Sequence, residues 1–200
     1  MRTLFRHEAT VTNGNNVRCE GRISNRNISV TMSEYSNTAV VSGALDSLHP
    51  VMIHQLDSGR SIQCEARLEL HSVRDVRIIQ RGESVLSCSL TGRLNVWDFK
   101  TGKLSLEISG GCTSHATCLD VTEREGEALA AVSGVSGGVK IVELRSGQKV
   151  LDVGPACVPV RVVRFSPDGK LVVTGHDTGT VQVESVRSTN HHLDCLVILV

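Results

Sequence analysis

The stretch from Gly134 to Gly138 reads GVSGG and matches the pattern G-x-S-x-G. In many hydrolases this spacing presents a nucleophilic serine on a strained turn that leads from a strand into a helix. Ser136 would be the nucleophile in such a site. The pattern is short and four of its five residues are small, so the segments on either side must decide what it means.

Two further groups hold side chains that favour metal ions. Cys112, His115 and Cys118 are spaced C-x-x-H-x-x-C, and HHLDC runs from His191 to Cys195. Three ligands leave a zinc ion short of the fourth that a closed site needs, and the sequence offers no obvious candidate. We therefore expect ordinary loop and strand residues here. The sequence also lacks a Walker loop, an HExxH pair and a recognisable catalytic pair of carboxylates, and it predicts no metal and no cofactor.

Composition limits the classes of partner. The 200 residues are 40% hydrophobic, carry a formal net charge of zero and include only 3 Phe, 1 Trp and 1 Tyr. Without a basic field or stacking aromatics, neither nucleic acid nor an anionic membrane surface is an expected partner. The 7 cysteines form no C-x-x-C pair, and no apolar run is long enough for a signal peptide or a membrane span. We expect a protein of the reducing cytoplasm or nucleus.

Apolar residues alternate in short runs bounded by turn-forming residues, which predicts an all-β chain. Four segments superpose without gaps, and their starts lie 43, 45 and 42 residues apart. They are SLHPVMIHQLDSGRSIQCE from Ser47, LTGRLNVWDFKTGKLSLEI from Leu90, VSGGVKIVELRSGQKVLDV from Val135 and DTGTVQVESVRSTNHHLDC from Asp177.

Each segment predicts two strands joined by a tight hairpin. Gly59, Gly102 and Gly147 occupy the same hairpin position, where glycine accepts a left-handed backbone at little cost. Two more strand-like runs precede each segment, so a unit has four strands in roughly 43 residues, the size of a propeller blade. We predict blades at about 26–66, 67–109, 110–154 and 155–200, with residues 1–25 forming a partial blade or N-terminal strands.

The family resemblance rests on two stretches. Trp97-Asp98, followed by FKTG, resembles the ending that names the WD-repeat family, and Val160 to Val186 resembles that family's blade pattern along nearly its whole length. A divergent WD-repeat β-propeller is therefore implied. Family blades often carry a buried His, Ser/Thr, Asp, Trp chain of hydrogen bonds, whereas here only Trp97 and the turn residue Asp177 match. The histidine positions hold Leu70, Cys112 and Ala156. We expect the blades to be held mainly by apolar burial, worth about 25 cal/mol per Å².

This register gives Ser136 a place in a turn followed by the strand VKIVEL, where a nucleophile elbow would need a helix. We therefore interpret Ser136 as a turn residue. Trp97-Asp98-Phe99-Lys100 also resembles the Trp-Asp-x-Arg ending by which some WD-repeat proteins dock onto adaptors of cullin-type ubiquitin ligases. Lysine replaces the arginine and lacks its planar fork.

The resemblance implies a non-catalytic scaffold that binds other proteins as a subunit or adaptor of a complex. Strand order puts the inter-blade loops and the second-to-third strand turns at one end of the blades, and there we predict partner-contacting residues. They are His71, Arg74, His115, Arg161 and His176. Four blades and a fraction would make an incomplete ring, because the family usually closes with about seven. The alternatives are a truncated chain, a ring completed by a partner's strands or by dimerisation, a cullin-type substrate receptor and, with no supporting residue set, an enzyme.

Overall fold

A computed structural model describes residues 9–13, 15–19, 28–32, 38–43, 51–55, 60–63, 73–109, 115–124, 126–154, 158–186 and 195–198. Strands β1 (Ala9–Asn13) and β2 (Asn15–Cys19) form a hairpin. The other strands form four sheets of four, which we call the first to fourth blades. The first blade holds β3 (Ile28–Met32), β4 (Thr38–Gly43), β5 (Val51–Gln55) and β6 (Arg60–Gln63). The second holds β7 (Val73–Ile79), β8 (Ser84–Ser89), β9 (Leu94–Asp98) and β10 (Leu104–Ile108). The third holds β11 (Ala116–Arg124), β12 (Glu127–Gly134), β13 (Val139–Glu143) and β14 (Lys149–Val153). The fourth holds β15 (Val160–Phe165), β16 (Leu171–His176), β17 (Val181–Ser185) and β18 (Cys195–Ile198).

Every blade is an antiparallel meander in which each strand pairs with the next along the chain. Turns between the first and second strands, and between the third and fourth, therefore lie at one end of a blade, which we call the lower end. Turns between the second and third strands lie at the other, upper end. These upper turns repeat in three blades, because the N–H groups of Gly92, Gly137 and Gly179 each donate to a carbonyl three residues earlier, at 2.9, 3.2 and 3.0 Å. All three glycines have φ between +78° and +88°, a conformation that costs glycine little.

The blades pack face to face through apolar side chains. We call the face that a blade turns to the preceding blade its leading face, and the opposite one its trailing face. Val40, Val51 and Ile53 on the trailing face of the first blade contact Val76 and Trp97 of the second. The second and third blades, and the third and fourth, bury similar clusters between them. Aliphatic burial therefore holds successive blades together.

Aspartate carboxylates on the first strands accept hydrogen bonds from backbone N–H groups of the next blade. Asp75 of β7 accepts the Leu119 N–H of the third blade at 3.0 Å, and Asp120 of β11 accepts the Phe165 N–H of the fourth at 2.8 Å. A first strand is the edge of its sheet, so these N–H groups would otherwise lack a ladder partner. Arg77 forms an ion pair with both carboxylates, since its guanidinium lies 2.8 Å from Asp75 Oδ1 and 3.3 Å from Asp120 Oδ1.

The predicted fold class is confirmed: the described chain is all-β apart from one 3₁₀ turn at Gln80–Gly82. The strands of the four sheets span 28–63, 73–108, 116–153 and 160–198, and the predicted blade boundaries stay a prediction. The extensive contacts between blades join successive blades, so within the described residues the blades form an open arc and an incomplete ring. No helix in that part of the chain is long and apolar enough to cross a membrane.

Candidate functional site

At the upper end, the first strands of three blades contain a β-bulge after their first residue. The extra residues are Arg74, Thr117 and Arg161. A bulge re-aims the side chain that it carries and is common beside functional sites. Two of the five predicted contact residues, Arg74 and Arg161, therefore stand at equivalent positions on the second and fourth blades. His115 is exposed just before β11, whereas His71 lies outside the described residues. Their role in binding stays a prediction.

Arg161 is paired within its own blade. Its guanidinium donates two hydrogen bonds to the carboxylate of Asp177, and the Nη2–Oδ2 bond is 2.8 Å long. This side-chain hydrogen bond from Arg161 is the main cause that lowers the pKa of Asp177 below its ordinary value. The pair fixes the Arg161 side chain across the upper turn, so any partner at this end meets an ordered ion pair.

His176 lies at the predicted end of its blade but is buried there. We expected a surface residue, but its side chain is buried, with 7% exposed. Its Nε2 lies 3.0 Å from the hydroxyl of Thr174, and its buried Nδ1 has no hydrogen-bond partner within the described structure. The repeat register predicted exposure for His176 because it is the last residue before a turn. Its side chain is buried because alternate side chains of that strand face the third blade. A buried imidazole is not available to a partner on the surface.

Neither Ser136 nor the cysteines lie in a catalytic or metal-binding arrangement within the described residues. Ser136 lies in the exposed turn between β12 and β13, and the segment after it is a strand. The strand, turn and helix context of a nucleophile elbow is therefore absent at this position. Cys112 lies outside the described residues, His115 is exposed, and Cys118 is buried against the fourth blade. Among the described residues no three His, Cys, Asp or Glu side chains are grouped to hold a metal ion.

The run HHLDC reaches the outermost strand of the fourth blade with its last residue. Strand β18 begins at Cys195 and continues to Ile198, and residues 191–194 lie outside the described residues. Leu196, Val197 and Ile198 pair with β17, and valine and isoleucine suit a paired strand. The interpretation of the other four residues as ordinary loop and strand residues stays a prediction.

Trp97 and Asp98 have structural roles. The Trp97 indole N–H donates to the Ser87 hydroxyl at 2.8 Å inside the sheet, so the second blade keeps one link of the family's buried hydrogen-bond chain. Asp98 accepts the backbone N–H groups of Lys100 and Thr101 at 3.1 and 2.8 Å, together with the Thr101 hydroxyl at 2.7 Å. The Thr101 hydroxyl is the main cause that lowers the pKa of Asp98.

The third blade makes the same turn with different residues. Glu143 stands where Asp98 stands in the second blade, and its carboxylate accepts the N–H groups of Arg145 and Ser146 at 2.8 and 2.6 Å. Gly102 and Gly147 have φ of +68° and +69° in these hairpins. Asp98, Gly102 and Gly147, which the repeat pattern singled out, therefore lie in these two hairpins. Gly59, the equivalent glycine of the first blade, lies outside the described residues. In the cullin-type ending, Phe99 is buried and only Lys100 is freely exposed.

A cleft opens at the lower end between the second and third blades, with a volume of about 860 Å³. Its lining is mostly polar and charged, and it includes the nearly buried apolar side chains of Ile79, Val96 and Leu144. Leu106 of β10 lines the cleft and is 37% exposed. The charged lining residues are Asp98, Glu123, Arg124, Glu127 and Arg145. Charges of both signs around the exposed Leu106 side chain suit a polar peptide segment that also carries one apolar side chain.

Gln80 bridges this cleft in an uncommon conformation. It is the one described non-glycine residue with positive φ, at +53°. Its N–H donates to Glu123 Oε1 of the third blade, and its own side-chain oxygen accepts the Ser84 hydroxyl at 2.7 Å. The left-handed backbone costs free energy, which these bonds offset.

The sequence analysis did not predict the cleft. One local signal was present: Leu106 and Ile108 lie on the same face of the outermost strand β10, whereas the β-bulge after Leu104 puts that residue on the opposite face, in the cluster shared with the first blade. The opposite wall of the cleft belongs to the third blade, and its position cannot be read from the alternation.

Comparisons with known proteins agree with this architecture. The family model described as "WD domain, G-beta repeat" matches residues 62–98 and 149–183. Both matches begin in the outermost strand of one blade and end in or at the close of the third strand of the next. The chain is also similar to "WD repeat-containing protein SL1-17" of Schistosoma mansoni, with 26% identity over 189 residues. That alignment covers 74% of this chain and 62% of the relative, so the chain spans less than two thirds of the relative's length.

The repeat period, the four-stranded sheets, the hairpin at Trp97-Asp98 and these two matches agree with one another. Together they support the WD-repeat family for this chain, with divergent blades.

Proposed function

We propose that this chain is a non-catalytic scaffold that binds a segment of a partner protein in the lower-end cleft between the second and third blades, as a subunit or adaptor of an intracellular complex. The single observation that carries the proposal is the cleft itself: about 860 Å³, lined by charged residues of both signs around the exposed Leu106. WD repeats support a role in protein interaction in general. In this proposal, the cleft is the surface that a segment of the partner protein contacts.

Two features favour a bound segment over an empty groove. Leu106 exposes an apolar side chain beside charged residues, and burial of that surface would favour binding. Gln80 holds a costly backbone conformation at the joint between the two blades, as residues at binding sites often do. Both features lie at the same end of the same pair of blades.

Site-specific photo-cross-linking in cells tests the proposal. A photoreactive phenylalanine replaces Leu106 in one variant and Val150 in a matched control, since Val150 is a similarly exposed apolar residue on the outermost strand of the third blade. A discrete cross-linked protein at position 106 and not at 150 supports the cleft, and Glu127→Arg should reduce its yield several-fold. Identical products at both positions, or none at 106, would contradict it.

The upper end provides the competing surface. The same photoreactive residue at His115 reports on the predicted contacts around Arg74 and Arg161. A partner captured at 115 alone would move the binding surface to the upper end, and would leave the scaffold role intact while refuting the cleft.

A further inference from the structure

The outermost strand of the second blade has one free edge. Strand β10 pairs with β9, and no described strand pairs with its other side. The N–H of Phe99 donates to the Glu83 carbonyl, and hydrogen-bonded pairs alternate along an antiparallel ladder, so Val96 directs its backbone groups to β10. Val96 pairs with Leu106, and the N–H and C=O of the next residue, Glu107, therefore point outward. Such an edge is a template for a further strand.

The lower-end cleft lies beside this edge. Leu106 and Val96 both line the cleft, whereas Glu107 does not and its carboxylate contacts Arg93 at 2.8 Å. Successive side chains of a strand point to opposite faces, so a strand added to β10 would direct every second side chain to the face of Leu106. The edge and the cleft can therefore hold the backbone and the alternate side chains of the same extended segment.

The outermost strand of the third blade is better protected against such pairing. The register makes Asp152 of β14 the counterpart of Glu107. Asp152 and Lys149 are both more than half exposed and form an ion pair at 2.6 Å. Charged side chains on an edge, lysine above all, disfavour pairing with another chain. The strand β10 reads LSLEI and carries one charged residue, Glu107, which Arg93 already neutralises.

The charges of the cleft favour a basic side chain. The lining holds three carboxylates, Asp98, Glu123 and Glu127, against the two guanidiniums of Arg124 and Arg145. Asp98 is occupied by its own hairpin, and Glu123 accepts a backbone N–H from the second blade. Glu127 is exposed, and its carboxylate has no hydrogen bond or ion pair within the described residues.

We infer that a segment of the partner protein adds to β10 as a fifth strand of the second blade. It places an apolar side chain beside Leu106 and a basic side chain at Glu127. This inference rests on the proposed function and specifies how the partner is held. Main-chain hydrogen bonds to Glu107 supply affinity for any extended segment, and the alternate side chains that enter the cleft supply specificity.

Glu107→Pro tests the strand pairing. It removes the outward N–H but none of the hydrogen bonds between β9 and β10, and proline is tolerated on an edge strand whose N–H faces solvent. With the photoreactive phenylalanine at position 106, it should reduce the yield of cross-linked partner roughly tenfold.

Two controls accompany this variant. Asp152→Pro makes the same change at the equivalent position of β14, and Glu107→Ala removes the contact with Arg93 but keeps the N–H. Both should leave the yield unchanged. An unchanged yield in Glu107→Pro, or an equal loss in either control, would overturn the inference.

A second measurement keeps the backbone of β10 intact. A photoreactive phenylalanine at 107 points away from the cleft, yet a strand paired with β10 lies beside it, so the partner segment captured at 106 should also be captured at 107. The equivalent position 152 should capture no such segment. Capture at 106 alone would overturn the inference and leave the proposed function standing, and so would a product of two copies of this chain at 107. The absence of a partner at 106 in the otherwise unaltered chain would refute the proposed function and the inference with it.

Discussion

Replacing Asp75 by asparagine should loosen the second blade from the third. The Asp75 carboxylate accepts the Leu119 N–H at 3.0 Å through Oδ2, and the Val76 N–H and the Arg77 guanidinium at 2.9 and 2.8 Å through Oδ1. Ser29 of the first blade also donates to Oδ1. One carboxylate therefore contacts three successive blades.

The size of the effect follows from this geometry. An amide keeps one acceptor oxygen, and its NH₂ group then faces a donor wherever the second oxygen stood. With the oxygen at the Oδ1 position, the bond to Leu119 is lost and that N–H is left unpaired in a buried site. A hydrogen bond to a charged group contributes about 1.5–3 kcal/mol. Because Arg77 keeps its contact with Asp120, we expect Asp75→Asn to lower the free energy of unfolding by about 2–3 kcal/mol, or the melting temperature by roughly 4–12 °C.

Urea unfolding measures the loss with two probes. Trp97 is the single tryptophan and is buried in the second blade, so its fluorescence reports on the blade that carries Asp75. Far-UV circular dichroism reports on all the strands, and coincident transitions would show that the blades unfold together. Asp152→Asn is the matched control, because its carboxylate is exposed and pairs only with Lys149 on the same strand among the bonds described. The control should change stability by less than about 0.5 kcal/mol. If Asp75→Asn lowered the free energy of unfolding by no more than Asp152→Asn, the Asp75 carboxylate would not hold the blades together.

Two further predictions concern turns and acid stability. Gly169→Ala should cost at least about 1 kcal/mol more than Gly126→Ala in the same urea assay. Both glycines have positive φ, but only at Gly169 would the new Cβ clash with the stiff, buried Thr122 side chain. Equal losses would show that backbone strain alone matters. The folded pKa of Asp177 is lowered by its bond to Arg161, so the stability that this pair supplies is present above the unfolded pKa and is lost as pH falls through the folded value. Arg161→Gln should therefore make the loss of stability below about pH 4 shallower, and an unchanged acid profile would contradict the pairing.

Much of the fold was predictable because its signals are local. Alternating apolar residues fix which segments are strands, and the positive φ of Gly92, Gly137 and Gly179 is what the glycine pattern at the upper turns requires. The same reasoning placed Ser136 in a turn before a strand. The sequence was a poorer guide to which polar side chains are buried. His176 was predicted to lie on the surface, yet its side chain is buried.

The sequence by itself determined the four blades, their turns and their order, since each depends on residues that are neighbours along the chain. Only the tertiary structure decided that Asp75 reaches Leu119, that a cleft opens beside Leu106, and that Val162 is open while its counterpart Cys118 is covered. Cys118 and Val162 occupy equivalent positions on equivalent strands, and local pattern treats them alike. Their environments differ because a neighbouring blade packs on one and not on the other, and that contact joins segments more than forty residues apart.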